Sequence, residues 1–401
     1  MESTKKKIMI IHHSGLLGGA GISLYSLVES LKDKYSITVV IPRNPPGMYK
    51  YFKLMKIPIN TFNFTLAKIT YYNSGDSVFS IKFWIHLFRV IFQICYWKKF
   101  IYQNNPDLVI VNSKVLCWMS LVLKHRKSIC IVRETLKGKQ NDLINLIIKK
   151  LLSKFTFVSF LSKYDSLSCG INNSIIFPDY LKLSDYVNTK GKVKACSELK
   201  ISSDTFNILF MGGINRHKGI DLAVKAINLL KTEKVCLIVA GNDAGYIDGN
   251  NKRNVISYLK NRKDIIFSQK IKKFIRDNGL SYKVKWVGIQ NDISTVLSAS
   301  DIVIFPMKIA HQARPVFEAG AQKKPIIITG FDNIREYVED GVNGLTFEPN
   351  NYASLADKII KLKNNPEMRK TLGENNYKYT KKYHIESIAC KSFLDTIGEI
   401  I

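Results

Sequence analysis

Acidic side chains are scarce in this chain of 401 residues: 32 Asp and Glu stand against 60 Lys and Arg, a formal net charge of +28 at pH 7. Such an excess points to anionic company, whether nucleic acid, an anionic lipid surface or phosphorylated substrates. Cysteine is sparse as well. The seven, at 95, 117, 130, 169, 196, 236 and 390, are odd in number and lack C-x-x-C spacing. That excludes a disulfide framework and fits buried thiols in a reducing compartment. Long apolar runs are also missing. The longest, Val78 to Trp97, is interrupted by Lys82, His86 and Arg89 and reads as an amphipathic or core helix, not a spanning one. The start, MESTKKKIMIIHHSG, turns polar after four apolar residues, too few for a signal-peptide core. The protein is therefore expected in the cytoplasm, at most peripheral on the inner face of the cell membrane.

Hydrophobic residues make up 46% of the chain, enough for sizeable cores, and its length suits two domains. Lys7 to Ile11 is β-prone, a glycine-rich segment follows, SLYSLVESLK has helical spacing, and Tyr35 to Ile41 is the next strand. Strand, glycine loop, helix and strand open a parallel α/β sheet. Further strands are expected at Asp107 to Val111, Ser128 to Val132, Phe155 to Phe160 and Ser174 to Phe177, with a helix at Val115 to Lys124. Polar, lysine-rich sequence from Leu181 to Ser203 lacks a period and reads as a linker. A second series then starts afresh at Phe206 to Met211 and runs through the strand Pro325 to Thr329. The basic insert from Asn242 to Tyr282 lacks the interleaved aromatics that stack on bases and reads as a solvated helical excursion.

Three segments can carry chemistry. Gly18-Gly19-Ala20-Gly21 lies between the first strand and first helix, where backbone amides and a helix N-terminus can meet an anion. The same loop could serve tight packing alone. Gly212-Gly213-Ile214-Asn215-Arg216-His217-Lys218-Gly219 again joins strand to helix and sets two cations beside backbone donors, as a departing diphosphate would require. Singly, it could be an exposed polar turn. The third is Ala313-Arg314-Pro315-Val316-Phe317-Glu318, which puts a carboxylate in the expected first turn of a helix, placed to accept bonds from a ribose diol. Alone it could be a helix-capping glutamate.

Together the GGA loop, the G-x-x-x-x-x-K-G turn, the ASDIVIFP strand and the PVFEAGA…KPIIIT…REYVEDGVNGLTF run resemble the family 4 glycosyltransferases, over nearly the whole chain and most strongly from Phe206 to Asn350. The resemblance implies the GT-B architecture, two Rossmann-like parallel-sheet domains facing across a cleft. The divisions expected are 1–182 for the acceptor-side domain, 183–204 for the linker, 205–384 for the nucleotide-sugar domain, and 385–401 for a helix packing back on the first domain. It also implies transfer of a sugar, with retention of configuration, from a nucleoside diphosphate sugar to a saccharide or lipid-linked acceptor in bacterial surface polysaccharide synthesis. Gly18, Gly19 and Ala20 match the loop that approaches the donor, Lys218 the lysine that neutralises the diphosphate, and Glu318 the glutamate that holds the ribose. Gly213, Ile289 and the run Ala313, Arg314, Pro315 and Val316 fall where the donor is contacted. Neither a cofactor nor a metal is implied, the chain having no D-x-D.

The sequence departs from the family pattern in three places. Its first acid, eight residues before Glu318, is here Ala310; the arginine after the first glycine of the lysine turn is Gly213, with Arg216 nearby to supply charge; and the strand ending at Val132 is followed by Arg133-Glu134 instead of histidine. Arg133 and Glu134 are expected to orient donor sugar or acceptor, alongside Lys218, Arg216 and Glu318 as the catalytic set. A catalytically silent binder of nucleotide sugar or of a partner enzyme is the alternative that the missing acid raises. The net charge raises a nucleic-acid binder, against which stands the lack of base-reading motifs. An anionic membrane surface is a further expected partner, met by Lys82, Arg89, Lys98 and Lys99 with Phe83, Trp84 and Phe88 entering the interface.

Overall fold

The structure is a computed structural model that describes residues 5–16, 18–73, 75–136, 142–187, 190–243, 255–290, 292–310 and 312–401, the first seven residues of α8 (255–261) through their backbone alone. His311 and positions 244–254 of the basic insert lie outside the described residues. The chain divides into two compact units, Met1–Tyr180 with Glu386–Ile401, and Leu181–Ile385.

In the first unit the order is β1 (Lys7–Ile11), α1 (Gly19–Leu31), β2 (Ser36–Pro42), α2 (Gly47–Leu54), β3 (Ile59–Phe62), α3 (Ile81–Asn104), β4 (Leu108–Val111), β5 (Ser128–Val132), α4 (Leu143–Leu152), β6 (Phe157–Phe160), α5 (Lys163–Cys169) and β7 (Ser174–Ile176). These strands form one sheet in the order β3-β2-β1-β4-β5-β6-β7, with every pairing parallel. Runs such as IMII and LVIV are apolar throughout because both faces of the sheet are covered. Alternate residues supply the two layers: Met9 and Ile11 enter one core, Ile8 and Ile10 the other.

The second unit runs α6 (Gly191–Glu198), β8 (Phe206–Met211), α7 (Ile220–Leu229), β9 (Val235–Ala240), α8 (Val255–Asp277), β10 (Val284–Gly288), α9 (Ile293–Ala299), β11 (Ile302–Phe305), α10 (Arg314–Ala321), β12 (Ile326–Thr329), β13 (Leu345–Phe347), α11 (Tyr352–Asn364) and α12 (Pro366–Tyr383). Its sheet, β10-β9-β8-β11-β12-β13, is again parallel. Each sheet reverses its winding beside its first strand, at β1/β4 and at β8/β11. In open α/β sheets that switch point, at the carboxyl ends of the strands, is where a crevice can take a ligand.

Three expectations need correction. The helix expected from Val115 is a 3-10 turn, Lys114–Leu121, buried from Lys114 to Ser120; apolar spacing does not distinguish it from an α-helix. The stretch read as a linker carries a 3-10 turn at Leu183–Tyr186 and then α6, whose Ala195 and Cys196 join Tyr186 in a core layer of the second sheet. In the basic insert, the described part forms α8, and Ile271 and Ile275 tie it to the core. The last helix, α13 (Glu386–Ile400), belongs to the first unit, where Phe393 stacks on Phe177 with ring centroids 4.1 Å apart.

Candidate active site

In the second unit, Lys218 lies in the turn that follows β8 and Glu318 in α10, which follows β11, so the two come from either side of the switch point. Lys218 ends the turn after β8, half-buried, its ammonium 5.7 Å from the centroid of the Phe305 ring at the end of β11. Gly212 makes room for this stem: a Cβ there would lie 2.7 Å from Phe210 Cζ and 3.0 Å from Lys218 Cδ. Loss of hydration lowers the Lys218 pKa, and the negative charge of Glu318 opposes that shift. The lysine therefore has the Glu318 carboxylate within electrostatic reach, without a direct ion pair.

Glu318 sits one turn inside α10, not in its first turn, so it does not cap the helix. Arg314 Nε donates to its Oε1 over 2.8 Å, and the Tyr186 hydroxyl donates to the same atom over 3.2 Å. These side chains are 14% exposed for Arg314 and 13% for Glu318. Burial and the Glu318 charge push the Tyr186 pKa up, which keeps its hydroxyl a donor. Both bonds use Oε1, leaving Oε2 as the acceptor that a ligand diol could meet. Tyr186 was not legible as a site residue because it comes from the presumed linker.

The glycine turn differs from expectation in how its amides are used. Gly212 and Gly213 both donate to the Ala240 carbonyl, over 3.0 and 2.9 Å, and Ile214 donates to Asn242 over 2.8 Å. These bonds fasten the turn to β9 and take up the amides of Gly212, Gly213 and Ile214. Gly213 has φ +57, and its Cβ would stand 2.1 Å from the Asn242 carbonyl oxygen, so this backbone has no room for the arginine usual in the family. Arg216, the proposed substitute, lays its guanidinium over Phe267 of α8, 5.3 Å from the ring centroid. Ala313, Pro315 and Val316 are buried, so they can offer a donor only their backbone. Ile289, by contrast, is 70% exposed just after Gly288, which turns at φ +70. Ala310 lies half-buried in the loop after β11.

In the first unit, Gly18 is the N-cap of α1 and Gly19 and Ala20 open the helix. A Cβ at Gly18 or Gly19 would meet nothing within 4 Å, whereas one at Gly21 would lie 2.6 Å from Met48 Sδ. Gly21 is thus a packing glycine, while Gly18 and Gly19 face a space that no described residue fills. Arg133 and Glu134 follow β5 beside the switch point. Arg133 donates to Asn112 Oδ1 and to Asp179 Oδ1, both over 2.7 Å. Glu134 accepts from the Ser113 hydroxyl, from Lys114 N over 3.0 Å and from Arg133 N over 3.3 Å. Its carboxylate thus braces two strand-end loops.

His12, which directly follows β1, was visible in the sequence but not singled out. It is 1% exposed, with Nδ1 3.1 Å from the Asn112 carbonyl oxygen. Burial pushes its pKa down to about 4; the Asn112 carbonyl opposes this, and Arg133 and Lys68 add to it. Burial also lowers the pKa of neighbouring His13. Because the folded pKa lies below the unfolded one, the unfolded chain binds a proton first as pH falls. The stabilisation is whole above about pH 6.5 and is lost toward pH 4, worth about 3 kcal/mol across that window. Calorimetry from pH 7 to 4 should show the midpoint falling with acid, and His12→Gln should flatten the profile. An identical profile in the variant would remove His12 as a cause.

Residues 194–379, most of the second unit, match the profile of the family described as glycosyl transferases group 1. That stretch is similar to the group 1 glycosyltransferases, and the chain has the GT-B fold. An uncharacterised glycosyltransferase of Methanocaldococcus jannaschii is 23% identical over 94% of this chain and 95% of its own length. The capsular polysaccharide biosynthesis glycosyltransferase CapM of Staphylococcus aureus is 26% identical over 45% of this chain and 42% of its own. Other curated relatives are matched over about a third to a half of their length, from 34% to 57%. Among solved structures, HepE of Anabaena, crystallised with UDP-glucose, is 17% identical and superposes with a TM-score of 0.78 over 98% of this chain and 99% of that one.

Proposed function

We propose that the protein moves a sugar from a nucleoside diphosphate sugar to a hydroxyl of a saccharide or lipid-linked acceptor, with retention of configuration and without a metal, in the synthesis of a bacterial surface polysaccharide. The observation that carries this reading is the convergence of Lys218 and Glu318 at the second unit's switch point. A cation there meets the diphosphate, and a carboxylate with one open oxygen meets the ribose. As the bond from the anomeric carbon to the diphosphate breaks, negative charge grows on the leaving group, where Lys218 stabilises it in place of a metal. The acceptor oxygen bonds the anomeric carbon on the face the diphosphate leaves, and its proton departs with the diphosphate. The polysaccharide role is supported by the name of CapM, and the UDP and UDP-glucose complexes of HepE make uridine donors the first to try.

A thermal-shift screen against UDP-, GDP-, ADP- and CMP-linked sugars tests the reading. A donor at about a hundred times its dissociation constant stabilises the fold by about 2.7 kcal/mol. The sugar product made from that donor should keep its anomeric configuration by proton NMR. No shift with any donor rejects the assignment. A shift with neither transfer nor donor hydrolysis identifies the silent binder that the Ala310 position raises.

A further inference from the structure

We propose that α3 docks the protein on an anionic lipid bilayer, its solvent face lying among the headgroups while its other face stays in the first unit's core. One stripe of this helix, Phe83, Val90, Trp97 and Ile101, is buried. The opposite stripe would ordinarily be polar. Here it carries Ile81, Trp84, Ile85, Phe88, Ile91, Phe92 and Tyr96, all exposed, and Phe79 just ahead of the helix is 94% exposed. Phe83, which the sequence suggested would enter the interface, is instead a core residue.

The spacing of 3.6 residues per turn places Lys82 and Arg89 along one edge of this apolar stripe, Lys98 along the other, and Lys99 on the stripe at its C-terminal end. From Ser77 to Asn105 there is no Asp or Glu. An apolar strip with aromatic residues and cations along its borders is the pattern of a helix lying in a bilayer interface: rings and aliphatic groups leave water while ammonium and guanidinium groups reach lipid phosphates. The charge argues against a second copy of the chain as the occupant, since pairing two such helices would set like charges side by side without a compensating acid. Among the described residues, no helix is long and apolar enough to cross a membrane, so α3 lies on the bilayer and does not span it.

The test is flotation of the full chain with phosphatidylglycerol vesicles and, separately, with phosphatidylcholine vesicles, at low and high salt. Binding should be strong to phosphatidylglycerol and weaker by roughly tenfold or more on phosphatidylcholine or in high salt. Phe88 and Phe92 are 62% and 67% exposed, so Phe88→Asp with Phe92→Asp should preserve the circular dichroism spectrum and melting midpoint. The same double variant should reduce phosphatidylglycerol binding by roughly tenfold or more. Lys98→Glu with Lys99→Glu should reduce it through charge alone. Tryptophan emission should shift to the blue on binding, and Trp84→Phe should remove most of that shift. The proposal is overturned if the wild type stays with the aqueous phase, or if the Phe88→Asp, Phe92→Asp variant floats like it. A wild-type dimer that this variant dissociates, with no flotation by either protein, would reassign the face to self-association. None of these outcomes bears on donor binding, so docking and transfer stand or fall separately.

Discussion

Replacing Lys218 with alanine is expected to lower kcat about a hundredfold, the usual scale for removing one group that stabilises developing charge. That loss corresponds to about 2.7 kcal/mol of transition-state stabilisation. The structure gives two reasons for so large an effect. The lysine is half-buried, which lowers its pKa, so its attraction for an oxyanion is less screened than a surface charge would be. The Gly212 and Gly213 amides are bonded to Ala240 and that of Ile214 to Asn242, so these three do not duplicate its role. Because charge accumulates on the diphosphate as the bond breaks, affinity for the free nucleotide should fall less than turnover. Donor kinetics beside calorimetric titration of the nucleotide separate the two quantities. Wild-type turnover in Lys218→Ala would displace the lysine from the site, and with it the proposed role of the switch-point crevice.

Glu318→Gln should act differently in kind, weakening donor and free nucleotide together by about 1 to 3 kcal/mol and leaving kcat for bound donor less changed. The complication is Arg314, which would lose the charge on its partner 2.8 Å away, so part of any deficit could be local repacking. A ligand change isolates the ribose contact. Removing the ribose 2′-hydroxyl from the nucleotide found in the thermal-shift screen should cost affinity in the wild type and little in Glu318→Gln, since the bond is already lost there. An equal penalty in both proteins means that Glu318 does not hold the diol. Tyr186→Phe serves as a control, removing a bond to Oε1 while the other carboxylate oxygen stays in place.

The parallel strands were legible almost to the residue where both faces are buried. Lys7–Ile11, Ser128–Val132, Phe206–Met211, Val235–Ala240 and Ile302–Phe305 are apolar runs punctuated by glycine, asparagine or charge, and little else fits such a pattern. Strand β3 was missed because it is a short edge strand, INTF, whose residues are mostly part-exposed. Strand β13 has only three residues. Lys218 and Glu318 were readable because each follows a strand in a motif of many residues. What they touch was not readable. The Gly212 and Gly213 amides are taken up by a carbonyl on a strand that follows them by a whole helix, and Tyr186 reaches Glu318 from the other side of the second unit's sequence. Partners of that sort depend on tertiary packing, to which local propensity and period are blind.

Helix α13 has a consequence for how the chain is made. Its Ala389, Cys390, Phe393 and Ile397 share a core layer with Ile8, Ile10 and Phe177, while its Glu386 accepts from the Ser30 hydroxyl over 2.7 Å. The first unit to leave the ribosome therefore lacks part of its own interior until the whole of the second unit has been synthesised. During that interval the layer around Phe177 stays uncovered, a sticky surface that holdase chaperones would be suited to shield. Folding of the two units is thus not a simple head-to-tail sequence: the domain begun first is the one finished last.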